Sequence, residues 1–424
     1  MKYGLIGEHL PHSFSKEIHA KIENYPYELH EIKKEDLDEF MRKKEFTAIN
    51  VTIPYKKDVI PYLFEIEENA ERIGAVNTIV NRNGKLYGYN TDFFGMRALI
   101  QKLGLDFYRR KVVILGTGGT SNTAIAVSEA LGAKEIITVG RTAKKDVITY
   151  SELYRCHTDA DFIINTTPCG MFPYPDGNEK IAGTPISLES FSGLKGVVDA
   201  VYNPLRTNLV MNARERNIPA EGGLYMLTAQ AVAASEKFLN ASFDRTLNDR
   251  IFHEIYKSKE NIVLSGMPGS GKSTVGKILA SILNRTFIDT DEEIVRLAGK
   301  EITDIFAEIG NEGFRRLESE IIHYISSEYQ GAVIATGGGA ILRDDNVRAL
   351  KRNGKIYFLN RPLEQIVPTA DRPLALDYAA LKARFEERYE RYLSTCDKAI
   401  KTLESPEKTA NLIKEDFFNE NHGD

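Results

Sequence analysis

Cysteine is scarce in this 424-residue chain: it occurs only at Cys156, Cys169 and Cys396, with no CxxC pair and no nearby histidine that would complete a metal site. That excludes a disulfide framework and a cysteine–histidine zinc site, and it reads as three small semi-buried residues in a reducing compartment. Charge of one sign is also in short supply. The formal net charge is -5, from 55 Lys and Arg against 60 Asp and Glu, and the charges are interspersed. A sequence-independent hold on nucleic acid or an anionic membrane is therefore not expected, and small-molecule partners fit better. Long apolar runs are missing as well. The opening "MKYGLIGEHLPHS" is too short in apolar residues for a signal peptide, and no later run approaches spanning length, so a cytoplasmic protein is expected. Solenoid-period repeats and low-complexity tracts are absent too.

What is present is ordinary globular composition, 42% hydrophobic and 27% charged, over a length that suits two or three domains. Strand-like runs ("YGLIG", "AINVTI", "KVVILG", "EIITVG", "FIINTT", "GVVDAV", "NIVLSG", "AVIATG", "KIYFLN") alternate with helical patterns, which argues for parallel sheets covered by helices. Two of these strands run into glycine-rich turns that can cradle phosphates. The segment to about residue 105 has no such turn, a second domain begins at "KVVILGTGG", and a third begins near Glu260 after the short "YKSKEN". "LYMLTAQAVAASEKFL" after Gly222-Gly223 reads as a helix.

The first turn, "ILGTGGTS", places Gly116 and Gly118 directly after an apolar strand, where one permits the tight turn and the other a close approach to a pyrophosphate. The third fingerprint position is Ser121. At the end of the next strand an NAD site would want a carboxylate for the ribose hydroxyls. The chain has "TVGRTAKK" instead, in which Arg141, Lys144 and Lys145 suit a ribose 2′-phosphate, so NADP is the expected cofactor. The first segment supplies substrate-binding candidates. "HSFS" sets the hydroxyls of Ser13 and Ser15 two residues apart for one carboxylate, Lys56 lies just past a strand, and Asp92 in "GYNTD" can orient the ammonium for proton donation.

The second turn, "GMPGSGKS", fits G-x-x-x-x-G-K-S from Gly266 to Ser273. Its N–H groups can ring phosphates, Lys272 can reach the β and γ oxygens, and Ser273 can ligate magnesium. "FIDTDEEI" ends a strand with Asp289 placed for the metal and Asp291 for an acceptor hydroxyl. Arg315 and Glu318 fall one helical turn apart, an arginine fork suits a substrate carboxylate, and "ATGGGAIL" exposes backbone N–H groups to a small ligand.

Taken together and in order, "GLIGEHLPHSFSKEIH", "NVTIPYK", "GAVNTIV", "GYNTD", "ILGTGGTS", "INTTPCGM", "DAVYNPLRT" and "GGLYMLTAQA" resemble a shikimate dehydrogenase over residues 1 to about 250. The resemblance implies an α/β substrate domain over 1–105 with a return helix about 224–250, and a Rossmann-like NADP domain over 106–223. It makes Lys56 and Asp92 the catalytic pair for NADP-linked interconversion of 3-dehydroshikimate and shikimate. Ser13, Ser15, Thr52, Asn77, Tyr202 and Gln230 become substrate contacts, and Gly116, Gly118, Gly119, Arg141, Thr142, Lys145 and Gly223 cofactor contacts. Lys16 departs from a usual proline and Gly140 from a usual asparagine.

"GMPGSGKS", "FIDTDEEI", "GFRRLE", "ATGGGAIL", "ADRPLA" and "RYERYLSTCD" similarly resemble a shikimate kinase from about 260 to 424, an α/β P-loop domain like the nucleoside-monophosphate kinases. That implies ATP held by Gly266, Gly269, Ser270, Gly271, Lys272, Ser273 and Thr274, with Mg2+ at Ser273 and Asp289. Shikimate would meet Asp291, Arg315, Gly337, Gly338, Gly339, Arg372 and Arg388. The family's lid segment is short here, "RPLEQIVPTADRPLA", with no arginine between Arg361 and Arg372, so either of those serves in its place or the kinase is slow. Asn311 and Cys396 also depart from the family pattern. The two resemblances converge on one metabolite. The competing reading joins an active shikimate or quinate dehydrogenase to a catalytically weak nucleotide-binding regulatory module; the retained Asp291, Arg315 and triple glycine argue against it.

Overall fold

The computed structural model describes residues 1–10, 13–172, 183–366, 378–403 and 405–419. The chain divides into two compact units, Met1–Ile255 and Tyr256–Asp424.

The first unit holds two six-stranded sheets. One is mixed, in the order Tyr27–Glu31, Tyr3–Gly7, Ala48–Val51, Thr78–Arg82, Lys85–Tyr89, Glu65–Ile66. Its first three strands are parallel, but Thr78–Arg82 runs antiparallel to both Ala48–Val51 and Lys85–Tyr89. The departure from parallel pairing at this hairpin has a local reason: Asn83 and Gly84 both take positive φ, +53° and +81°, the two-residue turn that matches strand twist. The second sheet is parallel throughout, in the order Ala220–Glu221, Gly196–Asp199, Phe162–Asn165, Lys111–Leu115, Glu135–Gly140, Ile148–Thr149. Val112 to Leu115 are all fully buried, as a strand covered by helices on both faces must be.

Helices Thr91–Lys102 and Leu224–Leu239 pack closely on each other. Gly95 makes this possible, since a Cβ there would lie 2.5 Å from the Met226 carbonyl oxygen. The second of these helices ends at Leu239, short of residue 250, because Asn240 turns into the left-handed conformation at φ +50°. A separate helix, Leu247–Lys259, follows.

The second unit is one parallel sheet, Phe287–Asp289, Val333–Ala335, Asn261–Ser265, Gly354–Asn360, Lys398–Lys401. Apolar clusters built around Val263, Ile334 and Ile356 and around Ile262, Leu264 and Leu359 cover its two faces, because successive strand residues point to opposite sides. The chain order reverses at the central strand Asn261–Ser265, so loops at the carboxyl ends beside it diverge and leave a crevice. Helix Ile302–Glu328 is broken at Gly310, whose φ of +68° interrupts the ladder. Cys156 is exposed while Cys169 and Cys396 are half-buried, and none is bonded to another. Among the described residues no helix is long and apolar enough to cross a membrane.

Candidate active sites

In the first unit Lys56 lies in the turn that follows Ala48–Val51, and Asp92 lies in the first turn of Thr91–Lys102. That helix is started by Asn90, whose side chain accepts from the Phe93 N–H and donates to the Ala75 carbonyl. The Lys56 ammonium donates to Asp92 Oδ2 at 2.6 Å, and the two side chains are only 24% and 16% exposed. Behind this pair stands a buried amide–hydroxyl network. Asn77 Oδ1 accepts from the Thr91 N–H at 2.7 Å and from the Thr78 hydroxyl at 3.0 Å, and the single hydroxyl proton of Thr91 is shared between Asn77 Oδ1 at 3.2 Å and Gln230 Oε1 at 3.3 Å. Asn77 and Gln230, 153 residues apart in sequence, are thereby joined through Thr91.

Ser13 Oγ accepts from the Ser15 N–H at 3.3 Å, and the Tyr202 ring meets Phe14, between those serines, edge-on at 5.3 Å. Burial raises the Tyr202 phenol pKa. Thr52 continues the end of the same sheet, its N–H bonded to the Ile6 carbonyl. Tyr202 is carried on a loop anchored by Asp199, which accepts from Asn165 Nδ2, the Val201 N–H and the Thr207 hydroxyl. Burial pushes the Asp199 carboxyl up to about 6 in spite of those three donors.

The glycine turn has the conformation its sequence demands. Gly116 sits at φ +111°, where a Cβ would meet Thr166 Oγ1 at 2.6 Å. Gly118 precedes helix Gly119–Ala130, and a Cβ on Gly118 or Gly119 would meet nothing within 4 Å, which leaves their backbone open to a ligand at the helix N-terminus. Arg141, Thr142 and Lys145 are exposed in the loop after Glu135–Gly140. Gly140, the departure from asparagine, packs where a Cβ would lie 2.9 Å from Val147 and 3.1 Å from Thr117. Gly223 is held by its N–H to the Val201 carbonyl, and a Cβ there would run into the Ala200 backbone.

In the second unit a cavity of about 540 Å³ opens at the carboxyl ends of the strands. Of the residues expected there, Gly269, Gly271, Lys272, Ser273, Thr274, Asp289, Asp291, Arg315, Gly337, Gly338, Gly339 and Arg388 line it. Gly266 and Ser270 stand behind the wall: Gly266, at φ +147°, turns the chain out of its strand, and the Ser270 hydroxyl is buried without a hydrogen-bond partner. Arg372 lies outside the described residues. Lys272 opens helix Lys272–Leu283, and its ammonium donates to the carbonyls of Gly266 at 2.8 Å and Met267 at 3.0 Å. The Ser273 hydroxyl donates to Asp289 Oδ2 at 2.6 Å, while Asp289 Oδ1 caps the next helix by accepting from the Asp291 N–H.

Asp291 faces Glu318 across Gly337, where a Cβ would sit 2.6 Å from the first carboxylate and 2.9 Å from the second. Burial, and then the charges of Asp289 and Glu318, push the Asp291 carboxyl up to about 6 against the opposing pull of Lys272 and Arg315. Glu318 is buried and raised for the same first reason, and it accepts from Arg315 Nη1 at 2.6 Å. The Arg315 guanidinium lies against Gly339, in the space a Cβ there would occupy. Arg388 donates to the Gly338 carbonyl at 3.2 Å. The Tyr392 hydroxyl donates to the same carbonyl at 2.5 Å.

Sequence reasoning missed three contributors: Thr91 as the bridge between Asn77 and Gln230, Tyr392 under the triple glycine, and Arg384 in the cavity wall. The four-residue spacings Arg384–Arg388 and Arg388–Tyr392 could have flagged the last two as one helix face.

A glycine-turned dinucleotide cradle and a half-buried lysine–carboxylate pair in one unit, followed in the same chain by a phosphate loop facing carboxylates and arginines, define a two-part enzyme: an oxidoreductase unit and a phosphotransferase unit. Comparison with known proteins names both parts. Residues 5–79 match the family model of the shikimate dehydrogenase substrate binding domain, and residues 268–417 that of shikimate kinase. The shikimate dehydrogenase (NADP(+)) of Clostridium beijerinckii is 35% identical over 268 residues, covering 59% of this chain and 96% of that protein. Among solved structures, a chorismate mutase/shikimate 5-dehydrogenase fusion protein from Clostridium acetobutylicum aligns with a TM-score of 0.55 and 36% identity, over 60% of this chain and 96% of that one. Shikimate dehydrogenase 1 of Peptoclostridium difficile aligns with 0.53 and 34%, over 60% and 98%. The chain belongs to the shikimate dehydrogenase family through its first unit, and its second unit matches the shikimate kinase family model over residues 268–417.

Proposed function

We propose that the chain catalyses two consecutive steps on one molecule: NADPH-dependent reduction of 3-dehydroshikimate to shikimate, then ATP-dependent phosphorylation of shikimate to shikimate 3-phosphate. The observation that carries this reading is that two separately built sites match families named for the same compound. A protein of the same fold, the shikimate 5-dehydrogenase of Thermus thermophilus, has been crystallised in complex with NADP(H) and shikimate.

In the first step the bound nicotinamide supplies the hydride. Lys56 donates a proton to the oxygen of the carbonyl being reduced, and Asp92, 2.6 Å from the ammonium, holds it in place. Asn77 retains its NH2 group for a ring hydroxyl, and Ser13 and Ser15 take the carboxylate with the Tyr202 ring beside them. The open backbone of Gly118 and Gly119 fits a pyrophosphate, and the exposed Arg141 and Lys145 fit a ribose 2′-phosphate.

In the second step the substrate hydroxyl oxygen forms a bond to the γ-phosphorus of ATP as the bond to the ADP oxygen breaks. The hydroxyl proton passes to Asp291, whose raised pKa leaves it ionised and basic at neutral pH. Arg315 and Arg388 hold the substrate carboxylate. Ser273 and Asp289 offer hard oxygen donors already brought together, which fits Mg2+ and the charge neutralisation it supplies. Three free cysteines suit a reducing compartment such as the cytoplasm.

The test is a single reaction mixture of purified chain, 3-dehydroshikimate, NADPH, ATP and magnesium. NADPH oxidation followed by equimolar ADP and shikimate 3-phosphate is expected. NADPH oxidation that stops at shikimate would remove the second step from the proposal.

A further inference from the structure

Four guanidinium groups border the cavity of the second unit: Arg315, Arg361, Arg384 and Arg388. Their surroundings separate them into two groups. Arg315 is bonded to Glu318, Arg388 to the Gly338 carbonyl, and Arg384 lies one turn before Arg388 with Arg388 and Arg315 among the charges that act on it. All three therefore gather at the triple-glycine end, where the acceptor carboxylate is placed above.

Arg361 stands apart from them. It follows strand Gly354–Asn360, which pairs in register with the strand before the phosphate loop, Phe358 opposite Ser265. This register puts Arg361 at the same sheet edge as the loop. Its Nη1 lies 3.9 Å from the position a Cβ on Gly271 would take. Gly271 caps the start of helix Lys272–Leu283, toward whose N-terminus the phosphates of a nucleotide are drawn. Arg361 Nε is buried without a hydrogen-bond partner, and among the described residues no carboxylate is paired with its guanidinium. Partial burial makes a cation costly unless an opposite charge meets it, and the phosphates of a ligand would supply one.

We infer that Arg361 is a catalytic residue of the kinase step, its guanidinium neutralising the charge that develops on the transferring phosphoryl group. This rests on the phosphotransfer reading given above. Phosphoryl transfer involves little covalent chemistry by the protein, so stabilisation comes from positioned positive charge, and an arginine at the transferring group can contribute on the order of a thousandfold or more. Arg361 keeps its protons throughout. The bond to ADP breaks, the bond to the acceptor oxygen forms, and the acceptor proton goes to Asp291.

The experiment compares full-length wild type with Arg361→Met and Arg361→Lys. Three quantities are measured: kcat and KM for shikimate-dependent ADP release, the Kd of a non-hydrolysable ATP analogue with magnesium, and NADP-linked activity as a control on the amount of folded chain. The methionine variant is expected to lose roughly a thousandfold in kcat while analogue affinity and shikimate KM change only a few-fold. The lysine variant should lose at least about tenfold, because an ammonium keeps the charge but not the fork. Wild-type kcat in either variant would overturn the assignment. Equal losses in kcat and analogue affinity would also overturn it, since they indicate support of the loop and not of the transition state. If the methionine variant fails to fold, the lysine variant decides by the same criteria. A wild type that releases no ADP in response to shikimate overturns the phosphotransfer reading and this inference together, an outcome distinct from active wild type with unaffected variants.

Discussion

The two sites treat their own charges in opposite ways. In the first unit the functional cation and carboxylate are bonded to each other, Lys56 to Asp92 at 2.6 Å. In the second, Asp291 has two further carboxylates for neighbours, Lys272 is satisfied by backbone carbonyls, and Arg361 has no counter-ion among the described residues. The difference follows from what each site must meet. In the proposed reduction the group that meets Lys56 is a neutral carbonyl, so the proton-donating pair can be complete before the substrate arrives. In the proposed kinase step triphosphate and magnesium bring a great deal, and the site leaves part of its charge, the crowded Asp291 and Arg361, for the ligand to complete while Arg315 and Glu318 pair with each other.

The sharpest way to break this comparison is to remove one cation from each site. Lys56→Ala is expected to lower NADP-linked turnover by roughly 10²–10⁴-fold while ADP release is untouched. Lys272→Ala should do the reverse. Loss of both activities from either change, measured in one preparation, would contradict two independent sites.

Asp291→Asn separates the two consequences of crowding carboxylates. Kinase kcat should fall by about 10²–10⁴-fold with the proton acceptor gone. Stability should move the other way. A carboxyl raised from 3.8 to about 6 binds its proton more tightly in the folded state, so folding stability is highest below about pH 4 and declines as pH rises to 6. The asparagine variant lacks that penalty. Its second unit should melt a few degrees above wild type at pH 7.5 and level with it at pH 4, at roughly 2–4 °C per kcal/mol for a domain of this size. In the wild type the same titration should make shikimate-dependent ADP release decline as pH falls through about 6.

Smaller effects test the frames around the sites. Gly223→Ala forces a Cβ into the Ala200 backbone and should destabilise the first unit by about 1–3 kcal/mol, read as a lower denaturation midpoint without change in the second unit. Arg141→Ala should raise the KM for NADP about tenfold and leave that for NAD unchanged, because only the 2′-phosphate loses a partner. Equal changes for both cofactors would show that the loop does not read the phosphate.

Each of the nine apolar runs read as strands in the sequence holds a strand in the structure, because parallel strands buried on both faces must be continuously apolar. Tyr27–Glu31, "YELHE", escaped because four of its five residues are exposed, and Glu65–Ile66, Ile148–Thr149 and Ala220–Glu221 are too short to show a period. The hairpin at Asn83-Gly84 did carry a signal, an Asn-Gly between two strand-forming stretches. The glycine turns were legible because positive φ and open backbone narrow the residue choice. Thr91 was harder to see as a site residue, and Arg361 could be named only as one of two stand-ins for a missing arginine. Their placement comes from the sheet register and helix packing that bring distant segments together, and no local pattern encodes that.

The central claim is that both sites act on the same molecule, and it is tested most directly by ADP release from the purified chain with magnesium and ATP, with and without shikimate, beside NADP reduction in the same preparation. The account predicts ADP release that depends on shikimate and NADP reduction that depends on it equally. NADP reduction with no response of ADP release to shikimate would contradict it and leave the second site binding nucleotide for another purpose.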